Sequence, residues 1–192
     1  MTSRSRVRAI SAAVLATTSV AVLAACSGGG QAGPTATATP IGTPVTQSCT
    51  DLLPLESLAV YGQAFEEVRS YRPAKGSPAA WIAEHRGRVC QFREVSDHAV
   101  TISFAVAHLP EKSLTNLKDA LYQRGGSVPT YRVEGYFDLA DDGVGRADAF
   151  PDPYWVTASS TLFTEPGGAQ PVVDAIRGVV APGATSSATP TP

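Results

Sequence analysis

Hydrophobic and polar positions along this chain alternate with two different periods. Val100, Ile102, Phe104 and Val106 are interleaved with Thr101, Ser103 and Ala105, the period of two expected of a sheet buried on one face. The stretch 88–95 before it places Cys90 and Phe92 on one side, so the two read as a hairpin turning at Ser96, Asp97 and His98. Residues 111–124 switch to a helical period. Leu114, Leu117 and Leu121 form one stripe with Ala120 beside it and Gly125 behind as the stop. A second strand pair follows: Tyr131, Val133, Gly135 and Phe137 alternate with Arg132, Glu134, Tyr136 and Asp138, and residues 154–163 are rich in aromatic, Val and Thr residues. Pro171 then opens a last helix carrying Val172, Val173, Ile176, Val179 and Val180.

Two shorter helices are predicted ahead of the hairpin. One covers residues 51–60, with Pro54 in a first turn that tolerates it and an end by Gly62. The other covers residues 79–86, with Ser77 as N-cap, Pro78 at the first helical position and Gly87 as stop. Residues 64–71 between them fit either strand or helix. The order predicts an α+β domain, an antiparallel sheet with helices packed on one face. Two loosely similar helix-strand-strand units are visible in it, without the residue identity of a true repeat.

The ends of the chain differ in kind from this middle. Residues 1–25 carry Arg4, Arg6 and Arg8, then an apolar run over 9–23 broken by Ser11, Thr17, Thr18 and Ser19, the build of an export signal rather than of a membrane-spanning helix. The run closes on Leu23-Ala24-Ala25-Cys26, which resembles the bacterial lipobox. That resemblance implies a diacylglyceryl group on the Cys26 thiol, cleavage before Cys26, and a further acyl chain such as palmitate on the new amine. Two or more chains hold a protein on a bilayer, each buried methylene contributing about 0.8 kcal/mol. Residues 26–48 are Gly, Ala, Thr and Pro without charge, and read as a disordered tether reaching about 25 Å as a coil. Residues 181–192 repeat that composition as a tail, leaving 49–180 as one globular domain.

Removing the signal takes the formal charge from −2 to −5. Such a balance argues against nucleic acid as a partner, which needs a basic footprint. With Cys26 spent on lipid, Cys49 and Cys90 remain, and in an exported chain they most economically form one disulfide. Free thiols or a metal pair are the alternatives; neither finds a Cys-x-x-Cys spacing or a histidine framework here.

A resemblance covers most of the domain. Cys49-Thr-Asp-Leu-Leu-Pro-Leu-Glu-Ser-Leu58, Gly62, Cys90-Gln-Phe92 before a strand pair, and Gly143-Val-Gly145 ahead of a closing strand are similar to an actinobacterial family of cell-envelope lipoproteins built on a domain of unknown function. That family has Thr-Pro where this chain has Leu53-Pro54, and usually Trp where it has Phe92. The resemblance implies an anchored extracytoplasmic domain and brings no catalytic residues.

No reaction is written in the sequence. The chain holds His85 at a helix end, His98 in a turn and His108 after a strand, but no His-Glu-x-x-His, no Gly-x-Ser-x-Gly and no Ser-x-x-Lys. Asp138, Asp141 and Asp142 are a weak calcium candidate, because an EF-hand-type loop would leave Ala140 and Ala149 at two ligand positions. A solvated acidic loop is the simpler reading. Tyr136 and Trp155 lie opposite their strands' core faces, so an exposed aromatic pair there would be a ligand surface. The function expected is a non-enzymatic ligand- or partner-binding lipoprotein on the outer side of the cell membrane, without a cofactor, its partner an envelope protein, lipid or glycan. The alternative is an envelope hydrolase with a dispersed Asp/His site, which requires His98 or His108 to approach the acidic loop.

Overall fold

The computed structural model describes residues 39–125 and 127–183. The export signal, Cys26 and most of the tail lie outside the described residues. Six strands form one antiparallel sheet in the order β1-β2-β3-β6-β5-β4, with β1 Phe65–Glu67, β2 Arg88–Glu94, β3 Thr101–His108, β4 Gly135–Leu139, β5 Gly145–Ala149 and β6 Tyr154–Ser160. The helices are α1 Cys49–Leu52, α2 Pro78–Glu84, α3 Glu111–Gly125 and α4 Pro166–Val180, with a 3₁₀ turn at Leu55–Tyr61. The α+β class, the antiparallel sheet and the 88–94/101–108 hairpin follow the sequence pattern. No helix among the described residues is long and apolar enough to cross a membrane.

The helices occupy both faces of the sheet rather than the one expected. On the first face α1, the 3₁₀ turn and α4 bury Leu52, Leu53, Leu58, Val172 and Ile176 against Phe92, Phe104, Val106 and Val156. On the second face α2 and α3 place Ile82, Leu114 and Leu121 over Ala105, Ala107 and Trp155. Small side chains at Ala105 and Ala107 let α2 sit close. Gly87 has the same cause: a Cβ there would lie 2.2 Å from Ile82 Cγ2 and 2.5 Å from the Val106 carbonyl. The left-handed residue at this helix end is Arg86, at φ 68°, and not Gly87.

Other departures have local reasons. The helix expected over 51–60 splits at Leu53, because Pro54 removes a donor and pushes its predecessor out of the α region. Residues 64–71 yield only the short edge strand β1. The second strand pair is three strands, since β5 occupies sequence read as an acidic loop; the two helix-strand-strand units are therefore unequal. Its first residue, Gly145, is needed because a Cβ would fall 1.8 Å from the Phe163 carbonyl oxygen. The last helix begins at Pro166, with Pro171 inside it. The tether also ends earlier than expected: Thr43 N–H donates to His108 O at 3.0 Å, Val45 N–H donates to Arg86 O at 3.1 Å, and Val45 is buried. The domain thus begins near residue 41.

The disulfide is formed, Cys49 to Cys90, with Cα atoms 5.6 Å apart. It clips α1 to β2 beneath the first-face core. Ser48 caps α1 reciprocally with Asp51, whose carboxyl those hydrogen bonds hold below its ordinary range.

Candidate functional site

Strand register assembles a polar row on the second face. Gln91 pairs with Ser103, Ser103 with Ser159, Ser159 with Arg146 and Arg146 with Asp138, across β2, β3, β6, β5 and β4. Gln91 Nε2 donates to Ser103 Oγ at 2.9 Å. The adjacent row runs Val89, Ala105, Thr157, Asp148 and Tyr136, and passes beneath α2 and α3. Polar shelf and covered apolar floor therefore meet at Arg146 and Asp148.

Asp148 is only 2% exposed, yet it is paired on every side. Its Oδ1 accepts from Trp155 Nε1 at 2.9 Å, its Oδ2 accepts from Arg146 Nε at 3.1 Å, and Thr157 adds a side-chain hydrogen bond. Burial pushes its carboxyl above the ordinary range, while Arg146, Trp155 and Thr157 pull the other way. A buried charge persists only with such partners. The arrangement fixes the Trp155 indole and aims the Arg146 guanidinium outward. Arg146 Nη2 keeps a long 3.9 Å contact to exposed Asp138.

Between α2 and α3 the second face opens into a groove. A cavity of about 230 Å³ is bordered by Trp81, Trp155, Leu117, Leu121, Arg124 and Arg146, with Asp148 at its base. A second, of about 200 Å³, lies over Ser103, Ser159 and Arg146, and a third, of about 70 Å³, between Arg124, Tyr136 and Arg146. Arg146 borders all three. Trp81 is held by a stacked His85 ring 3.8 Å away, and His85 Nδ1 is 2.8 Å from the Trp81 carbonyl. Trp81 and Trp155 are themselves 5.9 Å apart.

Tyr136 and Trp155 do lie on the second face, but they are not an exposed pair. They are 5% and 4% exposed, covered by α2 and α3, and Trp155 reaches the groove only as part of its wall. Tyr136 donates to Glu134 Oε1 at 2.5 Å, and burial together with that contact raises its phenol well above the usual value. Lys118 sits nearby, 3.3 Å from both Glu134 Oε2 and Asp152 Oδ1, tying α3 to the segments that lead into β4 and β6.

The acidic loop is a tight turn between β4 and β5. Asp142 Oδ1 accepts from Val144 N–H at 3.1 Å, Asp138 faces Arg146, and Asp141 is exposed. Among the described residues no three His, Cys, Asp or Glu side chains gather to hold a metal ion. The histidines also stay apart from this loop. His108 lies at the opposite end of β3, beside Tyr154. His98 shares the loop's end of the sheet, but the two hairpin turns are separated by three strand spacings, about 14 Å.

Sequence reasoning missed Arg146 and Asp148. Their signal was present as Gly145-Arg-Ala-Asp-Ala149, an alternation that reads as a strand with a polar face, but the stretch was absorbed into the acidic loop. Comparison with known proteins adds no identity, since no family model, curated protein or solved structure matches the chain.

Proposed function

We propose that this chain is a lipid-anchored, extracytoplasmic module of the cell envelope that binds a ligand without transforming it, in the groove between α2 and α3. The observation that carries the reading is Arg146, fixed from below by buried Asp148 and bordering three adjoining cavities. A preorganised polar group at the junction of apolar and polar walls is the usual build of a binding site. The carboxylate in the groove is already committed to Trp155, Arg146 and Thr157, which favours binding over acid-base work. The Leu23-to-Cys26 tetrad, the basic start and the disulfide support export and anchoring. The resemblance to envelope lipoproteins points the same way.

Two measurements test the two halves of this reading. Acyl labelling and membrane fractionation of the full chain should follow Cys26, and Cys26→Ser should release the protein unlabelled from the membrane. Native mass spectrometry of the Cys26→Ser chain after incubation with envelope extract should show a retained small mass. Leu117→Trp, which fills the groove, should abolish it. Retention unaffected by Leu117→Trp would move the site elsewhere.

A further inference from the structure

We infer that the groove takes a small organic anion with a ring-sized apolar body, its carboxylate or phosphoryl group held between Arg124 and Arg146. This inference rests on the α2/α3 groove being the ligand site. Its largest cavity presents two guanidiniums and one carboxylate, and that carboxylate is the buried Asp148, whose lone pairs are engaged. Arg124 gives its Nε to the Ala120 carbonyl at 3.2 Å, and no ion pair of Arg124 occurs among the described residues. The lining of this cavity therefore carries one more cation than carboxylate in a domain whose overall balance is acidic, while exposed Asp138, 3.9 Å from Arg146 Nη2, borders only the adjoining 70 Å³ cavity.

The walls define the rest of the ligand. Trp81, Trp155, Leu117 and Leu121 are apolar where they border the cavity. About 230 Å³ is the share of roughly eight water molecules at ~30 Å³ each, which suits one ring with a short arm and not an acyl chain. Arg124 and Arg146 also both border the 70 Å³ cavity toward Tyr136, but Asp138 and Asp148 line that one too, so the anion is placed in the larger cavity beside the two arginines, with its body under the tryptophans. A guanidinium pair recognises planar or tetrahedral oxyanions by bidentate hydrogen bonds, each stronger than its neutral counterpart.

The test uses the full chain with Cys26→Ser, exported and oxidised, and three probes sharing one ring: phenylacetate, benzylphosphonate and neutral benzyl alcohol. Trp81 and Trp155 are the only tryptophans, so their two indole N–H resonances report the groove directly by NMR. Both anions should shift both resonances, with benzyl alcohol bound about tenfold more weakly or worse, the scale of one charge-assisted hydrogen bond. Carboxylate and phosphonate affinities then rank the two oxyanion classes. Arg124→Gln should cost the anions about tenfold and leave benzyl alcohol unchanged. Arg146→Lys, which keeps a cation above Asp148, should weaken the anions in the same way. Equal binding of benzyl alcohol, or anion binding untouched by Arg124→Gln, would overturn the anion assignment while leaving the groove as a site. If no probe moved either indole at about 10 mM, enough to saturate a Kd of about 1 mM, the groove reading would fall as well.

Discussion

Replacing Asp148 by alanine is the sharpest probe of the second face. The side chain is buried, so its removal leaves the Trp155 indole N–H, also buried, without its acceptor. An orphaned buried donor costs about 1–3 kcal/mol. Breaking a fully buried ion pair costs about 3–5 kcal/mol, but the Arg146 side chain left behind is 28% exposed and can turn to water, so that larger figure does not apply. A cost of about 2–3 kcal/mol follows for Asp148→Ala. Asp148→Asn keeps an oxygen for the indole but loses the charge-assisted bond to Arg146, so about 1.5–2 kcal/mol is expected. Urea unfolding followed by tryptophan fluorescence measures both, and the indole resonances identify the cause. Trp155 should move in Asp148→Ala, with Trp81 moving less. Asp148→Ala within about 0.5 kcal/mol of wild type, with Trp155 unmoved, would refute the claim that this carboxylate organises the groove.

Three further outcomes follow from the same contacts. Burial raises the Asp148 carboxyl above its ordinary 3.8, so the folded state binds more protons than the unfolded state in the window from 3.8 up to the folded value. Wild-type stability relative to Asp148→Asn should therefore fall as pH rises through that window, and a rising difference curve would mean that Arg146 outweighs desolvation. Reducing Cys49–Cys90, or replacing both by serine, should cost about 4 kcal/mol for a loop of this length, read as a lowered urea midpoint. Gly145→Val should prevent folding or displace the Phe163 turn, since the first added carbon already overlaps the Phe163 carbonyl oxygen; circular dichroism and expression yield of the exported protein decide it.

The first face was legible in the sequence because its code is simple. Ile102, Phe104 and Val106 alternate with Thr101, Ser103 and Ala105, and Cys49 and Cys90 have few pairing options; the leucine stripe of α3 was equally plain but packs on the second face. β5 was not legible for a physical reason. It is five residues long, flanked by acidic turns, and buries mainly alanines, so its apolar signal is weak although Ala147 and Ala149 are fully buried. Residues 41–47 were hidden the same way, since one buried valine in a Thr/Pro/Ala stretch pins the segment to the domain.

The site itself lies where the pattern stops discriminating. Alternation says which residues point away from the first core, and it correctly sets Tyr136, Trp155 and Ser103 on the opposite face, where the register also puts Arg146. It does not say how much of that face the remaining helices cover. α2 and α3 are long enough to roof Ala105, Ala107 and Trp155 but not the row of Gln91, Ser103, Ser159 and Arg146, so the boundary of the roof becomes the groove. Asp148 sits on the covered side of that boundary and Arg146 at its lip. The buried acid and the arginine hold each other there through the 3.1 Å hydrogen bond from Arg146 Nε to Asp148 Oδ2. A core built for stability alone would be served as well by two apolar residues of similar volume. Arg146 borders all three cavities and Asp148 two of them, an orientation that packing alone does not require.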